Sequence, residues 1–205
     1  MARAPSGSPP VSRGRAEPVR LLIYLPIIHS QEDLGGMGEA IRRATTRRLG
    51  QRGFHHKTRV IAERWTRIAR VLDNLKLDYP KVRLYQDGLP VCGREAELVA
   101  QLARTGSRNF RLLQELQGKG AVLMGTEAPE LLQQEYELAQ AGAGSPAAPA
   151  ITQTLLQARD RFIAQRINDT LKAGETGILF LGLLHQPEAF LNRDIRVLYP
   201  LGPRR

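Results

Sequence analysis

The sequence predicts an α/β protein, with a mainly parallel sheet of about five strands and helices on both faces. Three observations predict it. After Gly177, the run Ile178-Leu179-Phe180-Leu181 has no polar break, the pattern of a strand buried on both faces. Elsewhere, short apolar runs alternate with longer stretches of helical period, which implies crossover connections and parallel pairing. Finally, Ile61, Trp65, Ile68, Leu72 and Leu75 recur at spacings of four and three, drawing one apolar stripe along a helix.

Residues 1–17 are rich in Pro, Gly, Ser and Arg and read as a disordered basic tail, leaving one domain over 18–201. Val19 to Ile28 is the first strand. Pro26 cannot donate to a ladder, so this strand is expected at an edge or to finish near there. A polar, glycine-bearing loop runs from His29 to Gly36. Gly38–Leu49 reads as a short basic helix and Gly50–Gly53 as a break. The striped helix occupies Lys57–Leu77 and is ended by Tyr79-Pro80. Lys81–Tyr85 alternates as a second strand, and Asp87-Gly88 favours a turn after it. Glu95–Arg104 and Asn109–Gln117 read as helices, with Ser107 as an N-cap. Ala121–Met124 is a third short strand, and Pro129–Gln140 a helix. A Gly/Pro/Ala loop follows at 142–149. Thr152–Ala173 is a long helix whose stripe is Leu155, Leu156, Phe162, Ile163, Ile167 and Leu171, closed by Gly174. The central strand comes next, and Ile195–Tyr199 is the last.

Composition narrows the function classes. The 205 residues carry a net charge of +10, from 30 Lys+Arg against 20 Asp+Glu. The basic residues are spread along the chain. Their densest cluster, Arg42-Arg43 with Arg47-Arg48, has no interleaved aromatics to stack bases, so nucleic acid is not expected as a partner. Cys92 is the single cysteine, which excludes an intrachain disulfide and fits a reducing, cytoplasmic setting. With four histidines it also excludes a zinc finger. No apolar run approaches the roughly 20 residues of a membrane span. No P-loop, Gly-x-Gly-x-x-Gly after a strand, or Gly-x-Ser-x-Gly elbow is present.

Parallel strands bring their carboxyl ends to one edge. Four polar residues follow the first four strands: His29, Asp87, Glu127 and His185. Two imidazoles and two carboxylates suit a divalent metal such as Zn, Mn or Fe, or a metal-free acid–base pair. On this expectation His29, Glu127 and His185 are the metal ligands, and Asp87 or Glu32 is the catalytic base. Each also has a local reading. Asp87 belongs to a turn, Glu127 precedes Pro129 where a carboxylate favours a helix dipole, and either histidine can bond within its own loop. Asp87 gains least from the grouping. Arg159, Asp160 and Arg166 either line the site or form a solvated helix face. His55-His56 reads as surface, and Cys92 as a small buried residue.

The stretch from Arg159 to His185 is similar to the carboxyl-terminal signature of the TraB/Tiki family, in the erythromycin-esterase-like and ChaN-like superfamily. Arg159-Asp160, Ile163-Ala164, Thr170-Leu171-Lys172, Gly174 and the strand ending in Gly182-Leu-Leu-His185 carry the resemblance. Gly182 and His185 match its Gly-x-x-His motif. Gly125-Thr126-Glu127 is one residue shorter than its Gly-x-x-Glu element, and Pro26 stands where a glycine would precede His29. The resemblance implies an α/β core with histidines and glutamates at one sheet edge and a metal-assisted, hydrolase-like activity on an unknown substrate. The departures at Pro26 and Gly125 fit an alternative, a non-catalytic binding or regulatory module on the same scaffold.

Overall fold

The computed structural model describes residues 19–33, 38–141 and 148–202. The tail expected at 1–17 and most of the loop expected at 142–149 lie outside them. The described residues form a five-stranded, all-parallel sheet with the order β3-β2-β4-β1-β5. Its strands are β1 (Arg20–Ile27), β2 (Val82–Gln86), β3 (Val122–Met124), β4 (Thr176–Gly182) and β5 (Ile195–Leu198). The helices are α1 (Gly38–Asn74), α2 (Glu95–Arg104), α3 (Arg108–Gly118), α4 (Pro129–Ala141) and α5 (Ala148–Thr170).

β4 is the centre of the sheet, flanked by β1 and β2. Ile178 to Leu181 are all fully buried, as an unbroken apolar run requires. Side chains alternate between two cores. Ile23, Leu25, Ile178 and Phe180 face α1, α2 and α3, through Trp65, Ile68, Leu72, Val99 and Leu113. Leu22, Tyr24, Leu179 and Leu181 face α5, through Ile163, Ile167 and Leu171. Helices therefore cover both faces.

One local expectation is met in its second form and one changes. β1 is an interior strand, not an edge, and it finishes at Ile27, one residue past Pro26. Pro26 is tolerated because β5 pairs with β1 only from Arg20 to Ile23, so Pro26 has a strand neighbour on the β4 side alone. The Pro26 carbonyl instead accepts from Arg64 Nε and Nη2, at 3.0 and 2.7 Å. The break expected over Gly50–Gly53 narrows to Gly50, whose φ of 69° divides α1 into two helical segments. Ser107 caps α3 as expected, its side chain accepting from the Phe110 amide at 3.1 Å. No helix is long and apolar enough to cross a membrane among the described residues.

The connections place the site. After β2 the chain turns toward the α1–α3 face, through α2 and α3. After β4 it turns the other way, and the short helical turn Pro187–Phe190 packs on α5. Adjacent strands whose exits part in opposite directions leave a crevice at their carboxyl ends. That crevice lies between the ends of β2 and β4.

Phe180 tests the core of this arrangement. It is fully buried, and its ring lies 6.2 Å from that of Trp65. Phe180→Ala is expected to cost about 3–5 kcal/mol. Urea unfolding followed by Trp65 fluorescence measures it, and a loss under about 1 kcal/mol would contradict the packing.

Candidate functional site

Four of the five expected site residues meet in the crevice, and Asp87 is their hub. Its Oδ2 lies 2.9 Å from His29 Nε2 and accepts from the Gly182 amide at 2.8 Å. Its Oδ1 accepts from Arg159 Nη2 at 2.8 Å and lies 3.8 Å from His185 Nε2. The two imidazoles thus approach opposite oxygens of one buried carboxylate. Glycine at 182 is what permits this. A Cβ there would lie 2.8 Å from Asp87 Oδ2, so any other residue would push the carboxylate off the amide.

Glu127 reaches the site because β3 exits close beside the β2 exit. The Glu127 amide donates to the Leu89 carbonyl at 3.0 Å, and Thr126 Oγ1 accepts from the Gln86 amide at 2.9 Å. Gly125 makes the approach possible. A Cβ there would lie 2.7 Å from Val91 Cα and 3.0 Å from the Pro90 carbonyl oxygen. The Glu127 side chain accepts a forked pair from Arg159, Nε to Oε2 at 3.1 Å and Nη2 to Oε1 at 2.7 Å. Arg159 Nη1 continues to Glu135 Oε1 on α4, at 2.7 Å.

His185 is oriented from behind. Its Nδ1 lies 2.7 Å from Asp160 Oδ1, and Asp160 Oδ2 accepts from the Gln186 amide at 2.8 Å. With Nδ1 engaged by Asp160, Nε2 is the nitrogen that faces Asp87 and Glu127. A carboxylate behind a histidine fixes the tautomer of metal ligands in this way. Asp87, Glu127 and His185 offer ligand atoms within 4.8 Å of one another, so this buried group could hold a metal ion.

The group that could hold an ion shares Glu127 and His185 with the expected set and has Asp87 where His29 was expected. Asp87 joins Glu127 and His185, whereas Nε2 of His29 is engaged by Asp87. Asp87 is also one of the two residues expected as base, with Glu32. Glu32 stays apart from the cluster. Its carboxylate accepts from Gln31 Nε2 at 2.7 Å and lines a separate cavity against α1. The acid of that loop that faces the crevice is Asp33, bound to Ser107 Oγ at 2.5 Å.

Arg159 and Asp160 are buried rather than solvated. Arg166 is half-buried and donates to the Gly125 carbonyl at 3.2 Å. One signal for the first two was present in the sequence. Arg159 stands four residues after Leu155 and four before Ile163, and Asp160 four after Leu156, so both interrupt the apolar stripe of α5. Glu135 had no such signal. Cys92 is exposed, not buried, and His55 and His56 are exposed as expected.

Electrostatics separate the two central acids. Burial raises the Asp87 carboxyl, but His29, His185 and Arg159 outweigh burial and hold it far below the usual carboxylate range. Burial also raises Glu127. Arg159 pulls it back only in part, and the Asp87 charge raises it further, so its net shift is upward. Burial opposes the charged forms of Arg159 and His29. Glu127, Asp87 and Glu135 more than restore the guanidinium, and Asp87 with Asp33 raises the imidazole above its ordinary 6.5. Above these groups opens a cleft of about 910 Å³ with apolar walls, including Ile27, Phe110, Leu132 and Leu184.

Removing the guanidinium strands two buried acids. Arg159→Ala is expected to cost about 3–5 kcal/mol at neutral pH, and less on acidification, as the carboxylates protonate. Denaturant unfolding at both pH values measures this, and an equal loss at both would argue against unpaired charge. His29 supplies a pH signature. Folded His29 keeps its proton to higher pH than the unfolded chain, so between those values the native state binds more protons and stability falls as pH rises. The decline begins near the ordinary imidazole value of 6.5 and ends at the raised folded value. His29→Gln should remove it, and an unchanged stability–pH curve in that variant would dismiss the assignment.

No protein-family model, no curated protein and no solved structure matches this chain.

Proposed function

We propose that this is a metal-assisted, hydrolase-like protein of the TraB/Tiki type, with Asp87, Glu127 and His185 holding a divalent ion. One observation carries the reading. His185 is locked from behind by Asp160 and turns its second nitrogen toward two buried carboxylates. The charge balance supports it. Asp87, Glu127 and Asp160 are buried around one guanidinium, Arg159, with the His29 imidazole beside Asp87, so a further positive charge would be stabilised there. Mixed imidazole and carboxylate donors suit Zn, Mn or Fe. The ion would supply Lewis acidity toward a substrate oxygen. His29, hydrogen-bonded to Asp87 and partly open to the cleft, is placed to take a proton. Arg159 holds the two acids at fixed separation. The apolar walls would receive the body of the substrate.

A second reading has its own observation. The Arg159 guanidinium already bridges Asp87 and Glu127, so a resident cation sits inside the cluster. On that reading the site is a rigid polar lock in a non-catalytic binding or regulatory module.

Metal analysis of the purified protein separates the two, together with calorimetric titration by Zn²⁺ and Mn²⁺. The metal reading expects about one ion per chain. It expects His185→Ala to abolish binding and Asp160→Asn to weaken it about 10–100-fold. Binding below stoichiometry in the parent protein, or unaltered by His185→Ala, would leave the lock.

A further inference from the structure

A second cavity, of about 300 Å³, lies on the other side of His29, between α1 and the segment that follows β1. It is distinct from the acidic cluster in its charge. Its lining includes Arg42, Lys57, Arg108 and Arg111, and Glu32 is the acid among them. Arg42 is paired with Glu39. The others lack a carboxylate partner among the described residues. Arg108 donates to the Ala62 carbonyl at 2.9 Å and to Thr66 Oγ1 at 3.3 Å. Arg111 donates to the carbonyls of Gly106 and Ser107, at 2.5 and 3.3 Å. These bonds hold both guanidinium groups in place and leave their charge uncompensated. Lys57 forms no ion pair among the described residues.

The walls add a second, independent feature. Trp65, His29 and Gln31 all line this cavity, and each carries a buried polar atom without a hydrogen-bond partner among the described residues: Nε1, Nδ1 and Oε1. Buried polar groups are rarely left unmade; of these three, Gln31 Oε1 can only accept and is not completed by an anion. The indole Nε1 can only donate, so it asks for an acceptor. Phe54, Ile61 and the Trp65 ring supply apolar wall around it.

We propose that this cavity binds the anionic end, carboxylate or phosphate, of a small molecule with an apolar body. Three uncompensated cations over low-dielectric walls focus positive potential into the pocket. The guanidinium forks match a carboxylate or phosphate. His29 is shared with the crevice, so a ligand here would lie against the residue that also holds Asp87. The inference needs no metal in the cluster, and the failure of a metal titration leaves it standing.

The test uses calorimetry, with Trp65 fluorescence as a second readout, since it is the single tryptophan. The probes are phenylacetate, phenyl phosphate and neutral phenylacetamide, titrated into the full chain. One or both anions should bind saturably and at least about tenfold more tightly than the amide, and which anion is preferred identifies the head group. Lys57→Gln and Arg111→Gln, both away from the hydrophobic cores, should each lower anion affinity severalfold. Arg70→Gln, an exposed change farther along α1, should leave it unchanged. Equal affinity for acid and amide, absence of saturable binding by either anion, or an equal loss in all three variants would overturn the proposal.

Discussion

The crevice depends on one guanidinium being buried among acids. Arg159 spends Nε and both terminal nitrogens on Glu127, Asp87 and Glu135, and so ties α5 to the ends of β2 and β3 and to α4. The planar fork is essential, because a lysine ammonium cannot serve a carboxylate in two parallel bonds while reaching two more. The apolar stripe below it makes this possible. Ile163, Ile167 and Leu171 seat α5 on the sheet, and Arg159 stands one turn beyond, where the sheet ends and its edge begins. Hydrophobic packing thus sets the position of the charge. His29, with His185 and the guanidinium, in turn keeps Asp87 ionised in a place where burial alone would neutralise it.

The site is assembled largely from backbone. Asp87 rests on the Gly182 amide, Asp160 on the Gln186 amide, and Glu127 is brought in by a close crossing of two chain exits at Gly125. Two of the glycines that look like punctuation in the sequence are therefore spatial requirements. Each stands where a Cβ would collide with a neighbouring strand exit or with the carboxylate itself. Glu127, two residues past Gly125, is fully buried in the cluster. Similarly, Pro26 does not displace His29, because β5 has already ended.

His29 stands between two unlike cavities. On one side is an acidic, apolar-walled cleft, and on the other a smaller pocket edged by cations. The opposite charges are kept apart by the segment that leaves β1. A single imidazole in contact with both gives them a common element, since its two nitrogens belong to one ring and one proton distribution.

The layers were legible along the chain. An unbroken apolar strand, alternating flanking strands and striped helices leave few ways to bury their surfaces, and parallel pairing follows from the crossovers. The sequence also named His29, Asp87, Glu127 and His185, because parallel strands must bring those ends to one edge. Which of them share a carboxylate, that Glu32 turns away, and that Asp87 is the hub emerged from the packed fold. The strand order, with β1 inside the sheet and Pro26 at its end beyond the pairing with β5, came from packing as well. The reason is physical. Burial periodicity is a local property of the chain and can be read along it. The partners of a buried charge come from segments more than seventy residues apart, as Asp87 and Arg159 are, and only packing selects them.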